Sequence, residues 1–210
     1  MGLFALDDVA SNIQILIRWL HVIAGITWIG HLYFFNWVNS QLQPTLDGDT
    51  KKKVNPILIG RALWWFRWGA MITFLAGLTL FYLVYMYAPN GSTNKTFIDD
   101  DGLTTRGVWI TFGMTLATIM WFNVWFVIWP AQKKILGALL GGPAPDPSVP
   151  KRAANFSKIN TYLSGPMLFG MLAPNHYGAI NWPTAIIAIL IAEAVIWHMY
   201  KIAPKVGKLQ

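Results

Sequence analysis

Residues 18–39 read RWLHVIAGITWIGHLYFFNWVN, a run that is apolar enough to cross a lipid bilayer and yet carries Arg18, His21 and His31. About 20 apolar residues in a helix span the hydrocarbon core of a membrane. Ionisable side chains at that depth are costly, so they are usually paired or functional. The stretch therefore predicts a transmembrane helix, and it raises the question of what its two histidines hold.

The whole chain has the composition of an integral membrane protein. Of its 210 residues, 55% are hydrophobic and 12% are charged, which is about half the charge of an average soluble domain. The 12 tryptophans fit this class, because tryptophan favours the membrane–water interface. The chain has no cysteine, which excludes disulfides, thiolate metal sites, cysteine nucleophiles and a c-type haem attached through C-x-x-C-H.

Hydropathy predicts an all-α membrane protein in which residues 1–210 form one domain, a bundle of five transmembrane helices. The predicted spans are residues 13–38, 62–87, 107–129, 153–173 and 183–202. Pro130 is expected to close the third span, because proline does not continue a helix. The fourth span is polar in its first half, so an interfacial helix followed by a short re-entrant piece is the alternative. Residues 137–152, rich in glycine and proline, are predicted to be a flexible cytoplasmic linker.

The basic residues predict the orientation of this bundle. With five spans, eleven lysines and arginines fall in one set of loops and the C-terminal tail, whereas the opposite loops hold only Lys95 and Arg106. Basic loops remain in the cytoplasm. The N-terminus is therefore expected outside and the C-terminus inside. We interpret the net charge of +7 as a consequence of this topology. No nucleic-acid partner is predicted.

The ionisable residues within the predicted spans fall into two layers. Arg18, His21 and His176 are expected near the outer surface, and His31 and Arg67 near the inner one, with Glu193 between the layers. Neutral imidazole is the usual axial ligand of b-type haem, and arginine commonly pairs with carboxylates such as the haem propionates.

These residue types predict a haem site. His21, His176 and His31 are candidate iron ligands, with Arg18 and Arg67 as propionate partners, and Glu193 is expected to pair with a base or carry protons. The alternative is that the histidines are hydrogen-bonded packing residues and the arginines extend towards the interface. No catalytic residue is identifiable from the sequence.

Three separated motifs, in order, resemble the membrane domain of the bacterial urate oxidase (urate hydroxylase) family. They are RWLHVIAGITWIGHLYFFNWVN, FNVWFVIWPAQKKILG and NTYLSGPMLFGMLAPNHYG. The first is also similar, more distantly, to the opening helix of HemJ-type haem-binding membrane proteins, whose histidine ligand corresponds to His21. The resemblance implies a location in the bacterial inner membrane and a redox activity. Family members carry a C-terminal cytochrome c domain, and this chain is expected to lack it and to use a separate cytochrome c.

Two functions follow as hypotheses. One is a membrane redox protein that binds haem b and exchanges electrons with a cytochrome c or a quinone. An enzymatic activity would then be an oxidation of the urate oxidase type. The other is a non-enzymatic accessory subunit that packs, within the lipid bilayer, against other subunits of a larger respiratory, photosynthetic or oxygenase complex.

Overall fold

The computed structural model describes residues 9–88, 94–177 and 182–207, and these residues are almost entirely helical. Helix α1 spans Val9–Tyr33 and continues through a π-helical segment, Phe34–Asn39, into the short helix α2, Ser40–Leu42, and a 3-10 turn, Gln43–Thr45. The N-terminal residues 1–8, predicted to lie on the outer, non-cytoplasmic side of the membrane, are not among the described residues.

The remaining helices follow in order along the chain. They are α3 at Gly48–Phe81 with a π-helical end at Tyr82–Met86, α4 at Thr105–Phe122 with a π-helical end at Asn123–Ile128, α5 at Trp129–Leu139, α6 at Ser148–His176 and α7 at Trp182–Ile202. Between α3 and α4, strands β1 (Ile98–Asp99) and β2 (Gly102–Leu103) form a small antiparallel hairpin that pairs Ile98 with Leu103.

Four helical stretches in the described part of the chain are long and apolar enough to cross a membrane. They are Val9–Thr45, Gly48–Met86, Thr105–Leu139 and Pro183–Ile202. An all-helical fold with helices long and apolar enough to span a membrane is therefore confirmed.

The fourth predicted span, residues 153–173, lies within the single continuous helix α6 and is less apolar than the other four stretches. Three of its polar residues are buried inside the bundle, since Asn160, Thr161 and Ser164 are each 0% exposed, whereas Asn155 and Lys158, near its N-terminal end, are exposed. Asn123 Nδ2 donates to Asn160 Oδ1 at 2.8 Å, and Asn160 Nδ2 donates to the Met120 carbonyl at 2.9 Å. α6 is thus the central helix, in contact with α1, α4, α5 and α7.

The helices extend beyond the predicted spans. α3 begins fourteen residues before the predicted residue 62, because Asp47 caps it by accepting hydrogen bonds from the backbone of Asp49 and Thr50, both at 2.9 Å. Hydrogen bonds, first from Thr50, hold the pKa of Asp47 below its ordinary value. The predicted linker 137–152 is shorter than expected, because α5 runs to Leu139 and α6 begins at Ser148.

The prediction that Pro130 ends the third span was wrong. The chain continues as α5 through Leu139, with Pro130 in its first turn. A π-helical segment, Asn123–Ile128, directly precedes α5, and this irregular stretch of the continuous helix accommodates a proline, which has no backbone N–H to donate.

Glycines bring the helices into close contact in two pairs. In the first pair, α1 and α3, a Cβ atom at Gly69 would lie 3.0 Å from the Trp28 backbone nitrogen. In the second, α4 and α6, a Cβ atom at Gly170 would lie 2.9 Å from Gly113 Cα. Small residues at such crossings let helix backbones approach one another in membranes.

Replacing Gly170 with alanine is expected to lower stability by about 1–3 kcal/mol, because the added methyl group forces two backbones apart. Thermal unfolding in detergent would measure this loss. Gly60→Ala is the matched control, since an added Cβ there meets nothing within 4 Å, and it should be neutral or slightly stabilising. Equal melting temperatures for the two variants would contradict the close α4–α6 contact.

Candidate functional site

A cavity of about 720 Å³ lies between the two helix pairs. α1 and α3 form one side, and α4 and α6 form the other. Most of the lining is apolar, including Phe74, Ile110 and Met167. The charged and imidazole side chains of the lining all come from one end of the bundle, which we call the cavity end. They are Arg18, His21, Arg106 and His176.

His21 is held in a defined orientation at this cavity. Its Nδ1 lies 2.9 Å from the Thr73 carbonyl oxygen of α3. Because a carbonyl oxygen can only accept, Nδ1 carries the proton. The other ring nitrogen, Nε2, is then the one with a free lone pair, as an axial metal ligand requires.

Gly77 makes this arrangement possible. It lies four residues after Thr73, so its missing side chain leaves the Thr73 carbonyl open to a second donor from α1. A Cβ atom at Gly77 would lie 3.0 Å from His21 Cε1 and 3.3 Å from Nδ1. The spacing Gly69, Thr73, Gly77 thus gives α3 a face of small residues on which α1 and its histidine rest.

The cavity end carries two arginines from different helices. Arg18 lies one turn before His21 on α1, and Arg106 lies in the first turn of α4. Arg106 Nη2 donates to Asn175 Oδ1 at 2.8 Å, and its guanidinium carbon is 5.9 Å from the Tyr85 ring centroid. Ion pairs in the described part of the chain join Lys52 to Asp49 and Lys95 to Asp100. Neither cavity arginine therefore has a described carboxylate partner.

His176 lines the same cavity from the other helix pair. It is in the last turn of α6, next to Asn175, and is exposed. A flat ligand lying between the two helix pairs would thus have His21 from one pair and His176 from the other. Three methionines, Met114, Met167 and Met171, also line the cavity, and thioether sulfur is another known axial ligand of haem.

His31 and Arg67, two of the predicted site residues, are not part of the cavity lining. His31 Nδ1 donates to the carbonyl of Thr27 within its own helix, at 2.7 Å. The Arg67 guanidinium is stacked on Trp129, 3.8 Å from the ring centroid.

Glu193 lies on α7, half-buried, and it makes no ion pair with a described residue. The cavity is formed by α1, α3, α4 and α6, so Glu193 is also outside its lining. Its predicted pairing with a base is not found among the described residues.

The cavity suits an amphipathic, flat cofactor such as haem b. Its volume lies within the range of about 300–1,000 Å³ that is typical of cofactor sites. An apolar interior that ends in two arginines matches a macrocycle whose carboxylates lie on one edge. Among the described residues no group of three or more His, Cys, Asp or Glu side chains could hold a bare metal ion, whereas a haem iron needs only one or two protein ligands.

Arg106 and Gly77 were not identified as site residues from the sequence. Arg106 was counted only as a loop charge. It follows Thr104, whose side chain caps α4 by accepting from the Gly107 backbone, and a cation in the first turn of a helix is unfavourable. That unfavourable placement could have indicated Arg106. The small-residue spacing G-x-x-x-T-x-x-x-G in α3 could have indicated Gly77.

The helices define an all-helical protein with segments long and apolar enough to cross a membrane, and they enclose a largely apolar cavity. The chain belongs to the urate oxidase N-terminal family, whose model matches residues 8–55 and 92–208. The family resemblance inferred from the three sequence motifs is thereby confirmed, whereas the similarity to HemJ-type proteins stays a prediction. Searches of curated proteins and of solved structures gave no match.

Proposed function

We propose that this chain is a membrane-embedded redox protein that binds b-type haem in the cavity, with His21 as an axial ligand. The observation that carries the proposal is the orientation of His21 at an apolar cavity of about 720 Å³, with Nδ1 tied to the Thr73 carbonyl. Metal-bound histidines characteristically donate their second ring N–H to such an acceptor, which fixes the tautomer and the ring.

The other lining residues have assignable roles in this proposal. His176, from the opposite helix pair, is the candidate second ligand. Arg18 and Arg106 pair with the two propionates and so direct that edge of the macrocycle towards the cavity end. The apolar side chains of the lining exclude water from the macrocycle, and this low polarity helps to set the reduction potential of a bound haem.

Haem, when bound, supplies reversible one-electron transfer. Membership of the urate oxidase N-terminal family supports urate, or a similar electron-rich small molecule, as the electron donor. A cytochrome c is then the proposed acceptor.

A mixing experiment tests this function. Purified protein loaded with haem is reduced, freed of reductant and mixed with oxidised cytochrome c, whose reduction is followed by absorbance. We expect cytochrome c to be reduced in proportion to the haem present, and anaerobic urate to replace the chemical reductant. Protein that holds haem but transfers no electrons to cytochrome c would contradict the redox proposal.

We further propose that α6, the fourth of five spans along the chain, also crosses the membrane, with the N-terminus outside and the C-terminus in the cytoplasm of a bacterial inner membrane. The burial of Asn160, Thr161 and Ser164 in the middle of α6 supports this, because polar side chains that face other helices need not face lipid. The concentration of lysine and arginine at the opposite end from the cavity supports the orientation.

Cysteine labelling would measure this topology, since the chain has no native cysteine. Single cysteines at Ser148 and Val206 should react from the cytoplasmic side, and one at Asp101 should react from the outside. All three positions are exposed. Labelling of Ser148 and Val206 from opposite faces would show that α6 does not span.

A further inference from the structure

Arg67 has an environment that a simple extension towards water does not explain. Its guanidinium carbon lies 3.8 Å from the centroid of Trp129 and 6.0 Å from that of Trp125. The backbone carbonyl of Arg67 accepts from Trp125 Nε1 at 3.1 Å, which fixes α3 against the π-helical end of α4. Arg67 Nε is buried without a hydrogen-bond partner in the described part of the chain. The side chain is thus held in place while its buried Nε donor stays unsatisfied.

A second cation shares the same indole. Lys133, one turn after Trp129 on α5, has its Nζ 5.5 Å from the Trp129 centroid. The described ion pairs, Lys52 with Asp49 and Lys95 with Asp100, include neither cation. Two positive charges therefore meet at one aromatic ring with no described carboxylate between them, an arrangement that favours an external anion.

The surroundings place this pair at the membrane interface. Trp64, Trp65 and Trp68, which flank Arg67 on α3, are 46%, 55% and 39% exposed. Exposed tryptophans concentrate at the level of the lipid headgroups. The exposed Lys134 follows directly on α5. An anion that reaches this level is the phosphate of a phospholipid, and the guanidinium fork matches phosphate geometry.

We propose that Arg67, Lys133 and Trp129 form a binding site for the headgroup phosphate of an anionic phospholipid. We call the end of the bundle that carries Lys133 and Lys134 the basic end. A lipid held there bridges α3 and α5 through the two cations, while Trp129 supports the guanidinium from beneath. This proposal does not depend on haem, because the site lies outside the cavity lining.

Native mass spectrometry of delipidated protein in neutral detergent tests the proposal. Phosphatidylglycerol, phosphatidylcholine and inorganic phosphate are added in separate titrations. We expect phosphatidylglycerol to form a saturable one-to-one adduct at lower concentration than phosphatidylcholine, and inorganic phosphate to compete poorly. Arg67→Gln should weaken phosphatidylglycerol binding about tenfold, and Lys133→Gln about fivefold.

Lys53→Gln is the matched control. Lys53 is an exposed lysine on α3, about 21 Å along the axis from Arg67 at 1.5 Å per residue, and its substitution should leave the adduct unchanged. If Arg67→Gln does not fold, Lys133→Gln still decides, because that side chain is exposed. The proposal fails if both site variants bind phosphatidylglycerol like the wild type, or if Lys53→Gln weakens it equally. It also fails if phosphatidylcholine or inorganic phosphate binds as tightly.

Discussion

Replacing His21 with alanine is expected to lower the affinity for haem b at least about 100-fold. Loss of a residue that only supports a metal ligand costs about 10- to 100-fold in metal affinity, so loss of the ligand itself should cost more. Insertion into the membrane should be unaffected, because it depends on the total hydrophobicity of α1. Titration of the haem-free variant with hemin, followed by absorbance, measures the change.

His31→Ala is the matched control for His21→Ala. His31 is a histidine on the same helix, but it lies outside the cavity lining and is bonded to Thr27 of its own helix. Haem affinity should therefore stay at the wild-type level. If both variants kept wild-type affinity, the axial-ligand assignment would be wrong. If instead His31→Ala were the variant that lost haem, the axial ligand would be His31, outside the cavity, and the proposed haem site would be misplaced.

The second large effect is expected at the cavity end, where Arg106→Gln and Arg18→Gln should each weaken haem binding at least about tenfold. Each variant removes a charge-assisted hydrogen bond to a carboxylate, which contributes about 1.5–3 kcal/mol. The same titration with hemin measures this loss. Lys95→Gln is the control, because Lys95 is an exposed cation of the loop before α4, paired with Asp100 and not part of the cavity lining.

Haem dimethyl ester separates propionate pairing from a general effect of charge. The esterified macrocycle has no carboxylates, so it should bind the wild type weakly. Its affinity for Arg106→Gln should be almost the same as its affinity for the wild type. If esterification weakened binding equally in the wild type and in the double variant Arg18→Gln/Arg106→Gln, the arginines would not contact the propionates. The cavity assignment to haem would survive that result, whereas the orientation of the haem would not.

Hydropathy was sufficient to predict the fold class, because lipid requires long apolar segments whatever their detailed packing. It was weakest for α6, since average hydropathy does not distinguish a polar residue facing lipid from one facing another helix. Asn160 and Ser164 make this segment polar in sequence, yet both are fully buried. Their partners, such as Asn123 on a different helix, depend on tertiary packing.

Helix ends were predicted less well for a local reason. Pro130 indicated a stop, but the helix changes to π-helical geometry just before the proline and continues past it. The sequence prediction placed the start of the second span at residue 62, where the apolar run begins. The charged turns from Gly48 onward are helical as well, because Asp47 supplies a cap.

Depth in the membrane predicted part of the candidate site. Arg18, His21 and His176 were expected at one level, and all three line one cavity. His31 and Arg67 were expected at a second level, and neither lines that cavity. Sequence position gives the depth of a residue along a helix, whereas the side on which a cavity opens depends on where the neighbouring helices are close. For α1, Gly69 and Gly77 of α3 set how closely the two helices approach. The sequence shows that these residues are glycines, but it does not show that they pack against Trp28 and His21.

The absorption spectrum of the purified wild-type protein, before and after reduction, tests the central claim most directly. We predict a Soret band in the oxidised protein and a sharp α-band on reduction. Protein isolated without haem should gain the same bands when it is titrated with hemin. A protein that stays colourless in the presence of hemin and copurifies with a larger membrane complex would contradict the haem assignment, and it would favour the role of an accessory subunit.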